Sequence, residues 1–360
     1  MFKVLDRYLL KHFLLAFFAV TVSVGLTIIV INIIEELPDF IDNNVPVMDV
    51  LEYYLYFGGW VVKSFTPMFV MLAVLFTVSL FARRQEILAM KASGRSLYRI
   101  AWPFILVSLI ISGLHFYYNE FIYPPANKRQ VEIKNFTIER KSRASVTSVR
   151  NIYRQINPTS FYTLNQFDVD RREGKDFRLF RAGHGRASEI VTAPTVAYVD
   201  YRWHAINGVQ RSFLDTTQTG FVKFDSLIIP DMDDKPADLA KRMGKPEDMG
   251  INELKEYIDL MKRTGGPYLR ESVDLKIKYT FPLTSFIVVL VCVPIASNSR
   301  RAGIAVSIAT GALIALIYFV AFRMLQSAGW NGKIPEEIAA WAVNGVFLVI
   351  GIILMWRAPK

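Results

Sequence analysis

The sequence predicts an α-helical membrane protein with six transmembrane helices and an inserted all-β domain between the third and the fourth. Two observations support this prediction. Long apolar tracts contain almost no charged residue, whereas residues 123–276 concentrate the charge and alternate apolar with polar positions. The 360 residues are 52% hydrophobic, a fraction that a soluble protein can also reach. The distribution of apolar residues, and not their total, therefore indicates the class.

Six tracts are long and apolar enough to cross a bilayer, which takes about 20 helical residues. They cover residues 12–34, 56–81, 100–122, 279–299, 303–325 and 337–356. The apolar run in the first tract is longer than the hydrophobic region of a signal peptide, and no small-residue cleavage site follows it. We therefore expect the first tract to be a retained span.

Basic residues are concentrated in the short segments on one side of these spans, and acidic residues in those on the other. The basic segments hold Lys3, Arg7, Lys11, Arg83, Arg84, Lys91, Arg95, Arg99, Arg300, Arg301, Arg357 and Lys360. Because cytoplasmic loops carry the excess of lysine and arginine, we expect both termini to be cytoplasmic. Residues 123–276 are then periplasmic, outside a bacterial-type inner membrane.

The inserted domain has the pattern of antiparallel strands. Alternation from Ala197 to Ala205 predicts a strand whose apolar face includes Val199, Tyr201 and Trp203. Asn207-Gly208 predicts the following hairpin turn. Other strands are expected at 151–156, 160–169, 176–182, 209–213 and 221–229, with a turn over 171–176, in a sandwich-like domain. A helical period over residues 251–261, stopped by Gly265-Gly266, predicts a short amphipathic helix before the fourth span.

Motifs for the common catalytic and binding chemistries are absent from the sequence. It contains no G-x-x-x-x-G-K-[ST] phosphate loop, no H-E-x-x-H and no G-x-S-x-G. The four histidines are scattered, and the one cysteine, Cys292, has no disulfide partner. The net charge of +10 is not arranged as a basic stripe with interleaved aromatic residues. We therefore predict no enzyme, cofactor, metal site or nucleic-acid partner.

The cytoplasmic loop between spans two and three, residues 83–94, has the pattern of a short helix. It is rich in helix formers, and Gly94 lies where a helix C-terminus favours positive φ. Ile87, Leu88 and Met90 give it an apolar side too short to span a membrane. A helix at this rim is suited to bind a separate motor subunit, and the alternative is an ordinary positively charged loop. The residues alone leave both open.

Four segments carry patterns that occur together in one known family. Arg84 to Ser96 follows the cytoplasmic pattern R-x-E-L-x-A-L-R-A-x-G-x-S. Three further patterns, e-L-x-x-Y-I, K-x-x-x-P-L and P-x-x-x-A-x-W-x-x-N, are matched by Glu253–Ile258, Lys278–Leu283 and Pro335–Asn344. On these motifs the chain resembles the LptF/LptG permeases of the lipopolysaccharide transporter over nearly its whole length. Ile33–Asp39 resembles LptG more than LptF.

This resemblance implies a permease subunit of an ABC transporter. Such a subunit extracts lipopolysaccharide from the outer leaflet of the inner membrane and passes it through a jellyroll-like β-sandwich to a periplasmic bridge of the LptC/LptA type. It implies two further partners, a sister LptF/LptG-type subunit that completes a V-shaped cavity and a cytoplasmic ATPase dimer. Lipid enters between the first and fifth spans of opposite subunits. The implied domains are 1–122 with a coupling helix at 83–94, then 123–276, then 277–360.

The resemblance also directs attention to two sets of residues. Arg84, Glu86, Met90 and Gly94 are expected to form the coupling site for the ATPase. Family members often carry lysines near the outer end of the first span, but here Asn32–Asn44 has none.

Lys63, Lys278 and Arg323 are therefore expected to bind the lipid phosphates, since a charge in a span usually faces a cavity or a partner. The alternative for these cations is interfacial anchoring. Tyr201 and Trp203 are expected to line a groove for acyl chains, and their alternative is a place in the sandwich core.

Other protein classes fit the sequence less well. A lipoprotein-releasing permease usually has four spans and a large domain directly after the first, whereas here two further spans come first. A membrane-anchored periplasmic lipid-binding or sensor module does not need six spans and would need an output domain. An intramembrane enzyme has no catalytic constellation to support it.

Overall fold

The computed structural model describes residues 4–139, 148–157, 159–168, 171–183, 186–214, 217–230, 232, 235–236, 239, 249–264, 267–297 and 303–358. The predicted positions Lys3, Gly265-Gly266, Arg300, Arg301 and Lys360 lie outside them. The chain forms two compact units. We call Met1–Ile133 with Leu269–Lys360 the helical unit, and Lys134–Tyr268 the sheet unit.

The helical unit is built from long apolar helices. They are α1 (Val4–Asp42), α2 (Val47–Arg83), α3 (Glu86–Ala92), α4 (Leu97–Tyr117), a π-helical turn (Tyr118–Ile122), α5 (Tyr123–Ile133), α7 (Leu269–Ser297), α8 (Gly303–Trp330) and α9 (Glu336–Arg357). In the described residues, six segments are long and apolar enough to cross a membrane, namely Val4–Asp42, Val47–Arg83, Leu97–Ile138, Leu269–Ser297, Ala309–Trp330 and Glu336–Arg357. This confirms the six predicted spans.

Helix α7 lies at the centre of the helical unit, where it packs against α2, α4 and α9. Small residues bring its neighbours close together. A Cβ at Gly311 of α8 would collide with Leu75 of α2, and one at Gly329 would collide with Ala339 of α9. Helices in a membrane associate by such close packing, because lipid removes the hydrophobic drive between them.

The sheet unit holds the inserted β structure. Its strands are β1 (Ser148–Asn157), β2 (Ser160–Asp168), β3 (Glu173–Gly183), β4 (Arg186–Val199), β5 (Arg202–Leu214) and β6 (Thr217–Ile229). Neighbours in sequence pair antiparallel, so the described strands form one sheet in the order β1 to β6. The inserted all-β domain is confirmed, and its pairing is that of a single meander. Helix α6 (Ile251–Thr264) packs against β1.

One face of this sheet is a buried apolar core. It contains Ile152, Tyr162, Leu164, Phe167, Phe177, Leu179, Val191, Val196, Trp203 and Ala205, covered in part by Met232 and Leu239. Large aromatic side chains dominate it, and each removes much apolar area from water. The core accounts for the stability of the sheet unit without a disulfide.

The hairpin turn predicted at Asn207-Gly208 is wrong, and so is the continuous strand predicted through Tyr201. Val199 pairs with Arg202, so Asp200 and Tyr201 form a two-residue turn with φ of 51° and 60°. Asn207-Gly208 lies inside β5. Across a two-residue turn, the positions that face the core change from odd to even or the reverse. Ala197 and Val199 are apolar although they lie on the face opposite Trp203, so the sequence looked like one continuous alternating strand.

Replacing Tyr201 with glycine should stabilise the sheet unit. An L-residue in the left-handed region costs about 1 kcal/mol that glycine does not, and the Tyr201 side chain is 92% exposed, so little packing is lost. We expect Tyr201→Gly to raise the thermal midpoint of the purified full chain, followed through tryptophan fluorescence. Val222→Gly, at an exposed position in the middle of β6, is the matched control and should lower it. A lower midpoint for Tyr201→Gly would contradict the assigned turn.

Candidate functional site

Helix α3 is a short helix with defined ends between α2 and α4. Gln85 precedes it in a left-handed conformation with φ of 59°. Gly94 follows it with φ of 81°. There the Gly94 N–H donates to the Lys91 carbonyl at 2.9 Å, and the Arg95 N–H donates to the Met90 carbonyl at 3.2 Å. This glycine cap satisfies the last carbonyls of the helix and fixes where it stops.

The two sides of α3 differ in burial. Ile87 and Met90 are buried in the core shared with α1, α2 and α4. Arg84, at the end of α2, is exposed, and Leu88 is 39% exposed. Glu86 is half-buried and accepts a hydrogen bond from the Tyr8 hydroxyl at 3.1 Å. The structure thus brings the four predicted coupling residues to one segment, with Arg84 facing outward and Met90 inward.

The three predicted lipid-binding cations are divided between two places. The Lys63 ammonium lies 3.9 Å from the centre of the Tyr123 ring. The Lys278 ammonium lies 4.0 Å from Oε2 of Glu120. Glu120 lies in the π-helical turn that follows α4, and Tyr123 is the first residue of α5. Lys63 of α2 and Lys278 of α7 therefore contact the same part of the third span. Arg323 lies on α8, in a groove of its own.

The groove around Arg323 has a volume of about 590 Å³. It is lined by Phe319, Val320, Arg323, Met324, Ser327, Ala328, Asn331 and Lys333. The guanidinium donates to Gln326 at 2.9 Å, and the Gln326 amide donates to Asp274 of α7 at 3.0 Å. We call this the α8 groove. It combines an apolar floor with two cations, which is the character of a site for an amphipathic anion.

The sequence analysis did not predict Lys333 as a member of this groove. Helical spacing predicts that Phe319, Arg323 and Ser327 share one face of α8. Lys333 lies beyond the last residue of that helix, so the helical period does not extend to it.

The structure separates the two aromatic residues predicted to line an acyl groove. Trp203 is completely buried in the sheet core, with ring centres 5.1 Å from Tyr198 and 5.7 Å from Phe167. Tyr201 projects from the two-residue turn. Core packing, the alternative noted from the sequence, describes the surroundings of Trp203.

A different groove crosses the sheet, with a volume of about 500 Å³. It lies where the strand pairing is interrupted at Asp176, Pro194 and Asn207, on three neighbouring strands. Asp176 and Asn207 have φ of 53°, and proline has no N–H to donate. Phe180, Ile190 and Val209 supply apolar lining, and Arg178 supplies a charge.

Comparison with known proteins decides the family. The family model described as "Lipopolysaccharide export system permease LptF/LptG" matches residues 7–357. The chain belongs to the LptF/LptG family. Its membership, with the six apolar helices among its described residues, makes it a multi-pass inner-membrane protein of a permease family.

The LptF/LptG relatives that match by sequence do so over a limited stretch. LptF of Escherichia coli K12 and LptF of Shigella flexneri are each 30% identical over 88 residues, 24% of this chain. The matched stretch is 24% of the length of each of those relatives, about a quarter. These relatives are named LptF, whereas the family model covers LptF and LptG. The assignment to LptG therefore stays a prediction.

The α3 cap of this LptF/LptG chain can be tested through glycine substitution. Gly94→Ala should destabilise the last turn of α3 by about 1 kcal/mol, because alanine resists positive φ. Amide exchange in α3 should then become about fivefold faster. Gly58→Ala in α2, where a Cβ has open space and φ is not positive, is the matched control and should leave α3 unchanged. Equal exchange rates in both variants would show that the cap does not stabilise α3.

Proposed function

We propose that this chain is one of two permease subunits of an ABC transporter that extracts lipopolysaccharide from the outer leaflet of the inner membrane. The observation that carries this proposal is the match of residues 7–357 to the LptF/LptG family. The outward side of α3 and the α8 groove support it, because they are surfaces suited to a motor and to an amphipathic lipid. In this proposal the chain binds and moves lipid and hydrolyses nothing itself.

The charges near the helix ends support one orientation. Basic residues at the start of α1, around α3 and at the end of α9 favour a cytoplasmic location for these segments. The acidic segment between α1 and α2, and the sheet unit, are then proposed to be periplasmic. In that orientation the α8 groove belongs to the periplasmic side, since Gln326 and Trp330 near the end of α8 both bond Asp274 near the start of α7. We propose that it meets the headgroups of the outer leaflet.

The ATPase dimer is proposed to bind the exposed side of α3. Ile87 and Met90 hold the helix on the membrane core, so a force on Arg84 and Leu88 acts on a helix that is already fixed to its neighbours. The sequence contains no phosphate loop. ATP hydrolysis must therefore come from another subunit.

The sister permease is proposed to face α1 and α8. Along α1, exposed apolar side chains recur about every four residues, at Leu14, Phe18, Val22, Leu26, Val30, Ile34, Leu37 and Ile41. Along α8 they recur at Val306, Leu313, Ile317, Val320 and Met324. Continuous apolar stripes of this kind are available to acyl chains or to another helix. Lipid entering between the two subunits would meet the α8 groove.

The lipid phosphates are proposed to bind the cations at the periplasmic side. Arg323 and Lys333 line the open α8 groove, and Lys63 with Lys278 forms a second pair near Glu120 and Tyr123. A phosphate in a low-dielectric cavity needs such cations. Acyl chains would then pass along the sheet unit to a periplasmic bridge of the LptC/LptA type. The groove near Pro194 is open enough to hold them, whereas the core around Trp203 is closed.

The motor contact can be tested by charge reversal. Arg84→Glu should lower the yield of co-purified ATPase about tenfold or more, because reversing a charge within a docked interface sets like charges against each other, which costs several kcal/mol. Arg357→Glu is the matched control, since it reverses another exposed cation on the same proposed side of the membrane. Its yield should stay normal. Full ATPase recovery with Arg84→Glu would refute docking at this residue.

The lipid site can be tested by removing cations. Arg323→Ala and Lys333→Ala should each weaken binding of purified lipopolysaccharide about tenfold, because a hydrogen bond to a charged group contributes about 1.5–3 kcal/mol. Lys63→Ala and Lys278→Ala should have smaller effects, since their cations already contact Tyr123 and Glu120. Lys11→Ala, an exposed cation near the opposite end of the helical unit, is the control. Unchanged binding in the Arg323→Ala and Lys333→Ala double variant, at normal expression, would exclude the α8 groove.

A further inference from the structure

The first turns of α1 are bonded to α3 and to the helix that follows it. The Tyr8 hydroxyl donates to Oε2 of Glu86, the first residue of α3, at 3.1 Å. Beyond α3, Arg99 in the first turn of α4 donates to Oδ2 of Asp6 at 3.1 Å. Tyr8 and Asp6 are neighbours on α1. One turn of α1 therefore contacts the start of α3 and the start of the helix that follows it.

The Asp6–Arg99 pair is the more demanding of the two contacts. The Asp6 side chain is 2% exposed, whereas that of Arg99 is 42% exposed. A carboxylate removed from water needs a partner, because its desolvation costs several kcal/mol. The pair consequently holds Asp6 in one position relative to α4.

Apolar packing joins the same elements. Leu9 and Phe13 of α1 lie in one core with Ile87 and Met90 of α3. The Tyr8 ring stacks on Phe81 at 5.5 Å. Close-packed interiors transmit displacement because they have few voids to absorb it. The first turns of α1, the whole of α3 and the start of α4 thus form one body.

The rest of α1 has two different sides. One side packs on α2, with Gly25 against Val61 and the Phe40 ring against Tyr53, and the other carries an exposed apolar stripe from Leu14 to Ile41. The helix has 39 residues and is therefore about 58 Å long at 1.5 Å per residue. Because it is one continuous helix, a displacement of its first turns is passed on to the part that carries the stripe.

We propose that Tyr8 and Asp6 are positioning residues that transmit movement of α3 to α1, so that the motor moves the helix at the lipid entrance. This inference rests on the proposed function. Tyr8 acts through Glu86 and Asp6 acts through Arg99, and neither residue needs to touch the ATPase or the lipid. The two bonds, one to the start of α3 and one to the start of α4, oppose rotation of α1 relative to the loop.

The test uses the whole transporter in proteoliposomes, with its ATPase, its sister permease and purified lipopolysaccharide. Tyr8→Phe and Asp6→Asn keep the size of each side chain and remove one hydrogen bond or one charge. We expect normal complex yield and ATP hydrolysis within about twofold of the unsubstituted protein. Lipid extracted per ATP should fall about threefold in each single variant and about tenfold in the double variant.

Matched controls make the same chemical changes elsewhere. Tyr98→Phe alters an exposed tyrosine of α4, and Asp42→Asn alters the exposed last residue of α1. Both should leave the extraction ratio unchanged. Glu86→Ala combined with Tyr8→Phe should be no worse than Glu86→Ala alone, because each of the two substitutions removes the same bond.

An unchanged ratio in the double variant of Tyr8 and Asp6 overturns the inference. A fall that only follows loss of complex yield or of thermal stability also overturns it, since the residues would then be merely structural. If the unsubstituted transporter hydrolyses ATP but extracts no lipid, the proposed function itself fails and the inference falls with it.

Discussion

Asn344 joins three membrane helices through its side-chain amide, and the position of α8 depends on it. Its Nδ2 donates to the Thr280 carbonyl at 2.8 Å, and its Oδ1 accepts from Tyr318 at 2.9 Å and from Thr284 at 3.2 Å. Each such bond contributes only about 0.6 kcal/mol in a membrane protein. Their larger effect is on rotation. Because Tyr318 points towards α9, Val320 lies two residues further on, on roughly the opposite side of α8, and the α8 groove opens there.

Helices α8 and α1 are held by different contacts. Helix α8 is fixed along its length, by Gly311 against Leu75, by Tyr318 in the amide network and by Gly329 against Ala339. Helix α1 packs on α2 through Gly25 and Phe40 and exposes an apolar stripe on its other side. Within the proposed function both helices border the lipid entrance, and α1 is the one that is bonded directly to α3, through Tyr8.

The membrane spans were predictable because one physical requirement, a helix of apolar residues as long as the bilayer is thick, determines each of them. The strands near Asp200 were not. Alternation of apolar and polar residues predicts a strand with one apolar face. It does not show the turn at Asp200-Tyr201, because Ala197 and Val199 are apolar on the other face and the alternation continues without a break. Contacts such as Arg99 with Asp6 join residues 93 positions apart, and no local period records them. Lys333 was missed because it lies past the end of α8, where helical spacing no longer predicts which face a residue joins.

The four candidate lipid cations have different surroundings, and these surroundings set an order among them. Lys278 lies near the Glu120 carboxylate and Lys63 lies over an aromatic ring, so a phosphate arriving there must compete with an existing contact. Arg323 contacts a neutral amide, that of Gln326, which a phosphate can displace at lower cost. Within the proposed function, the α8 groove is therefore where the lipid first binds. The pair near Glu120 would engage a phosphate only when a change in the helices separates Lys278 from its carboxylate, which ties that second step to movement of the third span.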